Sequence, residues 1–175
     1  MVHADYEAGG RLAAKYLIDR GHRRIGVISS PQVVLNGRQR SEGAISYVER
    51  HGMLAFHVES EFTVDLDPEV VRALLSGGAT AVIAGADLIA IGAIRALMAA
   101  GKRVPEDVSV IGFDDIPWAQ LNFPRLTSVA MPIEEMGEEA VAMLMRRIAS
   151  PTEIRRRVVF NVTLAERDSV GPGPG

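Results

Sequence analysis

Two adjacent carboxylates, Asp114 and Asp115, end the apolar run Val108–Phe113. An apolar strand that delivers an acid at its carboxyl end is how open α/β sheets present polar groups to ligands. Other chemically useful groups sit at similar breaks. Ser29 and Ser30 close the run Arg24–Ser30, and the loop after them leads past Val34 and Asn36 to Arg40. Phe62 closes Phe56–Phe62, and Gly85, Ala86 and Asp87 follow Thr80–Ala84. If these runs are neighbouring strands, one edge collects an aromatic ring, a guanidinium, small polar groups and acids. That mix suits a sugar or nucleoside, because the ring offers a flat apolar face while Asp and Arg bond hydroxyls or ring heteroatoms.

Each of these residues also has a plainer reading. Asp87 precedes an apolar helix and reads as its N-cap. Asp115 reads as a structural cap for the turn at Pro117, and Phe62 suits core as well as pocket. Arg40 falls in the first turn of a helix, where a cation opposes the dipole, which points to a specific role. Asp114 is the strongest candidate, although Asp also favours turns. Enzymatic signals are thin. His3, His22, His51 and His57 are scattered without metal-ligand spacing, and there is no G-x-S-x-G, Walker or G-x-G-x-x-G sequence. On an extended backbone Asp114 and Asp115 point to opposite sides, which argues against a shared-proton dyad. No enzyme activity and no cofactor are expected.

Composition narrows the partners. A formal net charge of -3 leaves no electrostatic footprint for nucleic acid over the chain as a whole. Arg146, Arg147, Arg155, Arg156 and Arg157 form a basic cluster without interleaved aromatics and read as a solvated face. There is no cysteine, hence no disulfide or thiolate chemistry. The most apolar run, Leu88–Ala100, contains Arg95 and is too short to span a bilayer. No membrane partner is expected, and a cytoplasmic location fits.

The elements that must position these groups follow from periodicity and caps. Asp5 caps a helix that Gly21 ends. The spacing Asn36-Gly37-Arg38-Gln39 suits a capping box for a helix reaching His51. Asp67-Pro68 opens a third helix, and Leu88–Ala100 forms a fourth. The order αβαβαβαβ, with four short apolar strands, requires crossovers and a parallel open sheet flanked by helices, the α/β class. Beyond Thr127 come a brief extended piece, a helix from Pro132 to Ala149 with acids early and Arg146 and Arg147 late, and a strand over Arg155–Leu164. The tail 171–175 is expected to be disordered. Leu88–Ala100 is apolar almost all round, so burial within one chain looks insufficient and a subunit contact is expected.

Several runs, in order and with sensible spacing, carry a resemblance. They are Tyr16-Leu17-Ile18-x-x-Gly21-His22-Arg23-Arg24-Ile25, Arg40-x-x-Gly43, Asp87-x-x-Ala90-x-Gly92-Ala93 and Val104-Pro105-x-Asp107-Val108-Ser109-Val110-x-Gly112-Phe113-Asp114-Asp115. Pro124-x-Leu126-Thr127-Ser128-Val129 and Pro132-x-x-Glu135-x-Gly137-x-x-Ala140 complete the set. Together they resemble the LacI/GalR (lactose/galactose repressor) family of bacterial transcription regulators over nearly the whole chain.

The resemblance implies a periplasmic-binding-protein-like effector domain of two α/β lobes with ligand in the cleft, of which this chain is a truncated, C-terminal part. Residues 1–130 would be the C-terminal lobe, 131–160 a segment of the N-terminal lobe, and 161–170 a strand returning to the C-terminal lobe. It implies effector contacts at Arg40, Asp114, Phe62, Val34 and Asn36. Ala86 and Met131 stand where many members carry polar groups, which permits a less polar effector or a sugar held by fewer bonds. A homodimer is implied through Leu88, Ile91, Ile94 and Arg95 of the apolar helix and Trp118, Leu121 and Asn122 after the acids. Operator DNA would be reached only through an N-terminal domain absent from this chain. One cleft wall alone is expected to bind effector weakly or not at all, and the helix Ile133–Ala149 would need cover for its stripe of Ile133, Met136, Ala140, Leu144 and Ile148. A transport solute-binding protein is the alternative reading.

Overall fold

The computed structural model describes residues 1–150 and 156–174. Among them the chain runs β1 (Val2–Ala4), α1 (Tyr6–Asp19), β2 (Arg24–Ser29), α2 (Leu35–His51), β3 (Met53–Glu59), α3 (Pro68–Ser76) and β4 (Ala81–Ala84). It continues through α4 (Asp87–Ala99), β5 (Ser109–Asp114), α5 (Pro117–Leu121), β6 (Thr127–Ala130), α6 (Ile133–Ala149), β7 (Val158–Phe160) and β8 (Thr163–Ala165). The main sheet has the order β3-β2-β4-β5-β6-β8, with β8 the antiparallel edge strand and the others parallel. It is the expected α/β class, with β6 as a parallel strand beyond the four anticipated. Thr127–Ala130 looks too short to count in sequence, yet its whole length pairs with β5.

Alternation along the strands builds two cores. Ile25 and Val27 of β2, Ala81 and Ile83 of β4, and Ile111 and Phe113 of β5 turn toward α1 and α2. Ile28, Val82, Ala84 and Val110 turn the other way, toward α3 and α4. Period-two alternation with both faces covered explains why these strands read as unbroken apolar runs. Gly10 and Gly43 let α1 and α2 approach closely: a Cβ on Gly10 would stand 1.9 Å from the Arg40 carbonyl oxygen, and one on Gly43 2.1 Å from that of Glu7.

Several expectations are corrected. Helix α2 begins at Leu35 with Val34 as N-cap, so no capping box forms, and the Asn36 side chain accepts from the adjacent Gly37 amide. The strand expected at Phe56–Phe62 is shifted to Met53–Glu59, starting directly after the helix-ending Gly52. The strand expected over Arg155–Leu164 divides into β7 and β8, and Arg155 lies outside the described residues. The tail expected to be disordered is instead docked through residue 173. The Gly171 amide donates to Ser109 Oγ, His22 Nε2 donates to the Gly171 carbonyl, and the Gly173 amide donates to the Arg20 carbonyl. Backbone groups of glycines satisfied in this way hold a segment that offers few side chains for burial.

Ile91 and Ile94 are corrected as interface residues. They are 5% and 1% exposed within the chain itself. The loop after β3 folds over α4, packing Val64 and Leu66 against that core, which resolves why a helix so apolar can sit on one chain. Arg95 and Met98 face out, and Leu88 is half-buried.

Outside the main sheet, β1 and β7 pair in parallel, and α6 lies against β1. Helix α6 has no buried residue, and Ile133, Leu144 and Ile148 of its stripe are exposed.

Candidate functional site

The winding of the sheet marks where a ligand would sit. From β2 the chain passes through α2 on one face to β3, then returns through α3 on the other face to β4, on the far side of β2. The loops leaving the carboxyl ends of β2 and β4 therefore diverge, and such a switch point opens a crevice suited to ligands. Arg40 lies across it. Its side chain is 7% exposed and reaches from the first turns of α2 to the far loops.

Every contact of Arg40 serves to fix it. Nη1 donates to the Gly85 carbonyl at 2.8 Å, just beyond β4. Nη2 pairs with Asp114 Oδ1 at 2.7 Å, at the end of β5. Nη2 also approaches the Met131 sulfur at 3.8 Å. The guanidinium lies 4.0 Å above the Phe113 ring centroid and 5.2 Å from that of Tyr6. A planar cation over an aromatic face gains a quadrupole attraction, and the ring also shields it from water. Its Nε is buried without a protein partner. Burial raises the pKa of the Asp114 carboxyl, and the Arg40 charge and hydrogen bond act in the opposite sense. The enclosed space beside Arg40 is about 10 Å³. That volume holds no more than one water, so a sugar-sized ligand would lie on the open side of the pair rather than in a pocket of this chain.

The second acid has a different neighbourhood. Asp114 and Asp115 both take left-handed backbone, with φ of 110° and 55°. The fully extended backbone expected across the pair is therefore not what the chain adopts, although Asp114 still closes β5 in register with Ala130. Asp115 Oδ1 approaches Arg167 Nη2 at 2.6 Å, a close ion contact whose alignment does not make a hydrogen bond. The Asp115 amide donates to Ser128 Oγ at 3.1 Å. Asp115 is thus tied to the sheet edge and not to the crevice.

Asp87 is corrected from N-cap to buried tertiary partner. The N-cap is Ala86, without a side-chain cap, and Asp87 is the first helical residue at 1% exposure. Its Oδ1 accepts from the Ser128 hydroxyl at 2.6 Å and its Oδ2 from the Ile116 amide at 2.8 Å. Burial pushes its carboxyl up to about 7, against the two hydrogen bonds and with help from the charges of Asp114 and Asp115.

Of the residues singled out from sequence, Arg40, Asp114 and Met131 come together directly. Ala86 is buried beside Gly85 at the same switch point. Val34 and Phe62 are exposed in the loops beyond β2 and β3, and Asn36 is half-buried near the start of α2. Sequence reasoning passed over Phe113, Tyr6 and Ser128. Phe113 was visible as the residue next to the acid, but alternation alone places it on the opposite face of an extended strand. Among the described residues no cluster of three or more metal-ligating side chains occurs, and no helix is long and apolar enough to cross a membrane.

Residues 14–170 match the model of the periplasmic binding protein-like domain. The chain is 38% identical to the HTH-type transcriptional regulator CelR of Thermobifida fusca, over 96% of this chain and 51% of that protein. It is 39% identical to the HTH-type transcriptional repressor PurR of Yersinia pestis, over 95% of this chain and 50% of that one. The chain thus spans about half the length of the curated relatives it matches. Among solved structures, a CelR–cellobiose complex superposes with a TM-score of 0.88 at 38% identity, covering 95% of this chain and 52% of the other. A LacI family transcriptional regulator from Enterococcus faecalis with bound ribose gives 0.89 at 32% identity, covering 97% and 62%. With the parallel sheet and its switch-point crevice, these matches make the chain a member of the periplasmic binding protein-like domain family, in the form carried by LacI-family transcriptional regulators.

Proposed function

We propose that this chain is the effector-sensing and dimerising part of a bacterial DNA-binding transcription regulator, responding to a carbohydrate-like small molecule. The observation that carries the reading is the Arg40–Asp114 pair at 2.7 Å, fixed at the switch point and open on one side. A guanidinium that donates and a carboxylate that accepts, side by side, match the donors and acceptors of neighbouring hydroxyls on a neutral ligand. Ala86 and Met131 add no strong hydrogen-bonding group, so the ligand would be held by few polar bonds. Phe62, Val34 and Asn36 would complete the contact from the adjoining loops. Residues 1–130 with 161–170 would form one lobe, and 131–160 would belong to a second. DNA would be contacted outside this chain, the protein would work in the cytoplasm, and it would catalyse no reaction.

The dimer contact is proposed at α5 and the outer face of α4. Trp118 and Leu121 of α5 are 61% and 80% exposed, Asn122 follows them directly, and Leu88 and Arg95 stand on α4. Exposed large apolar groups in proximity mark interaction surfaces.

Thermal-shift measurements on the full-length protein that carries this chain, with a panel of pentoses, hexoses and disaccharides, ribose and cellobiose included, test the effector site. At least one sugar should raise the melting temperature at millimolar concentration. Arg40→Ala or Asp114→Ala should weaken that sugar's binding ~10–100-fold, the cost of a charge-assisted bond. A shift that survives both substitutions would sink the assignment.

A further inference from the structure

We propose that Asp87 is a positioning residue of the effector site: its buried carboxylate bridges Ser128 and the Ile116 amide, and so fixes the left-handed Asp114–Asp115 turn that aims Asp114 at Arg40. The inference rests on the reading of Arg40 and Asp114 as the effector contact.

Four observations converge on it. First, the turn is strained. Two successive non-glycine residues hold positive φ, 110° at Asp114 and 55° at Asp115, a conformation that persists only where surroundings over-determine it. Second, the restraint comes from Asp87. Its two oxygens take the Ser128 hydroxyl and the Ile116 amide, while Ser128 Oγ in turn accepts the Asp115 amide. Two consecutive backbone amides after Asp114 are thereby fastened, one directly and one through a single hydroxyl. Third, space has been left for this carboxylate. A Cβ on Gly112 would stand 2.2 Å from Asp87 Oδ1, so any side chain at that point of β5 would evict it. Fourth, the arrangement is sealed, since Asp87 is 1% and Ser128 0% exposed. An acid placed there could have been replaced by an apolar residue if packing were its only purpose, because burying a carboxylate is costly unless its bonds are used.

The charged groups that bear on Asp87 are Asp114 and Asp115 of the same turn. Behind them stand Arg40 and Arg167. Protonation of Asp87 removes an acceptor charge from the Ile116 amide and relaxes repulsion on Asp114. The set of the Arg40–Asp114 pair should therefore respond to pH near neutrality through a residue that touches neither partner.

The test uses the isotope-labelled chain without ligand. Arg40 guanidinium resonances and Ile116 amide exchange are recorded for wild type, Asp87→Asn, Ser128→Ala and Asp114→Asn across neutral pH. In Asp87→Asn and Ser128→Ala the Arg40 signals should move toward their Asp114→Asn positions. Ile116 exchange should accelerate about tenfold or more, as loss of a bond to a charged group requires. The wild-type Arg40 signals should titrate near pH 7, and those of Asp87→Asn should not. Arg40 signals that stay at their wild-type positions in both variants would overturn the proposal, even with faster exchange at Ile116, because a merely structural role predicts the latter alone. Ser128→Ala leaves the carboxylate in place and serves if Asp87→Asn does not fold. Titrations of ribose and cellobiose into the full-length protein and its Asp114→Asn variant separate the two claims. Binding unchanged there removes the effector site but leaves the coupling of Asp87 to Arg40 standing.

Discussion

Two buried titratable side chains give the chain opposite pH dependences at its two ends of the sheet. Asp87 is held at about 7 in the folded chain against 3.8 for a free carboxyl. The folded state therefore binds its proton more tightly, and stability falls as pH rises through that interval. His22 behaves in the other direction. It is 2% exposed, and burial lowers its pKa below 6.5. Its Nε2–H donates to the Gly171 carbonyl and Nδ1 lies 3.0 Å from the Thr80 hydroxyl, and burial of the ring disfavours its charged form. The unfolded chain takes up the proton first, and stability falls as pH drops below 6.5. Thermal melts of wild type and His22→Gln should diverge on acidification below pH 6.5, the variant gaining stability relative to wild type because it lacks the His22 loss. An acid limb identical in the variant would show that the loss arises elsewhere. At this scale the sequence was least informative. Asp87 before an apolar helix looks the same whether it caps that helix or reaches Ser128, which lies 41 residues away. Asn36 likewise offered capping spacing, but the helix begins two residues earlier, with Val34 as its N-cap.

Among the elements, α1 and α2 matter most to the site, because α2 carries Arg40. Their closeness depends on glycine where the helices cross. Gly10 and Gly43 each cost helical propensity, roughly 1 kcal/mol relative to Ala. In return the Arg40 backbone lies where a Gly10 Cβ would be. Gly10→Ala should force the helices apart, destabilise the fold by ~2 kcal/mol or more, and withdraw Arg40 from Asp114. Chemical denaturation reads the first effect and sugar binding the second; unchanged stability would mean that the crossing tolerates a methyl group. Much of this level was legible beforehand. Short apolar runs alternating with capped helices gave the parallel sheet, and the acid at the end of β5 gave the ligand edge. What was not legible depended on contacts remote in sequence. The cover of α4 comes from Val64 and Leu66 in a loop without periodicity. β6 is recognisable only by its pairing with β5.

For the whole molecule, two exposed apolar surfaces call for cover. One is the outer stripe of α6, with Ile133, Val141, Leu144, Met145 and Ile148 all more than half exposed. The other surrounds α5, where Phe123 is 84% exposed beside Leu121 and Trp118. If the second surface pairs copies of the chain, Leu121→Asp should shift the sedimentation profile toward monomer with the melting temperature of the monomeric fold intact. A profile dominated by dimer in that variant would move the contact elsewhere.

The pairing of β1 with β7 has a mechanical consequence. The chain passes between the main sheet and the outer elements three times: at Asp5, between Ala130 and Ile133, and between Phe160 and Thr163. The first and third passages are joined, since the Asp5 amide donates to the Phe160 carbonyl. If the outer elements turn relative to the main sheet, three short cords side by side would act as the pin of a door, permitting swinging about their common line and resisting sliding across it. Asp114 is the register partner of Ala130, the last residue before the middle cord. On that geometry a ligand that draws on Asp114 would pull almost at the pin itself, where a small displacement would become a wide arc at the far end of α6.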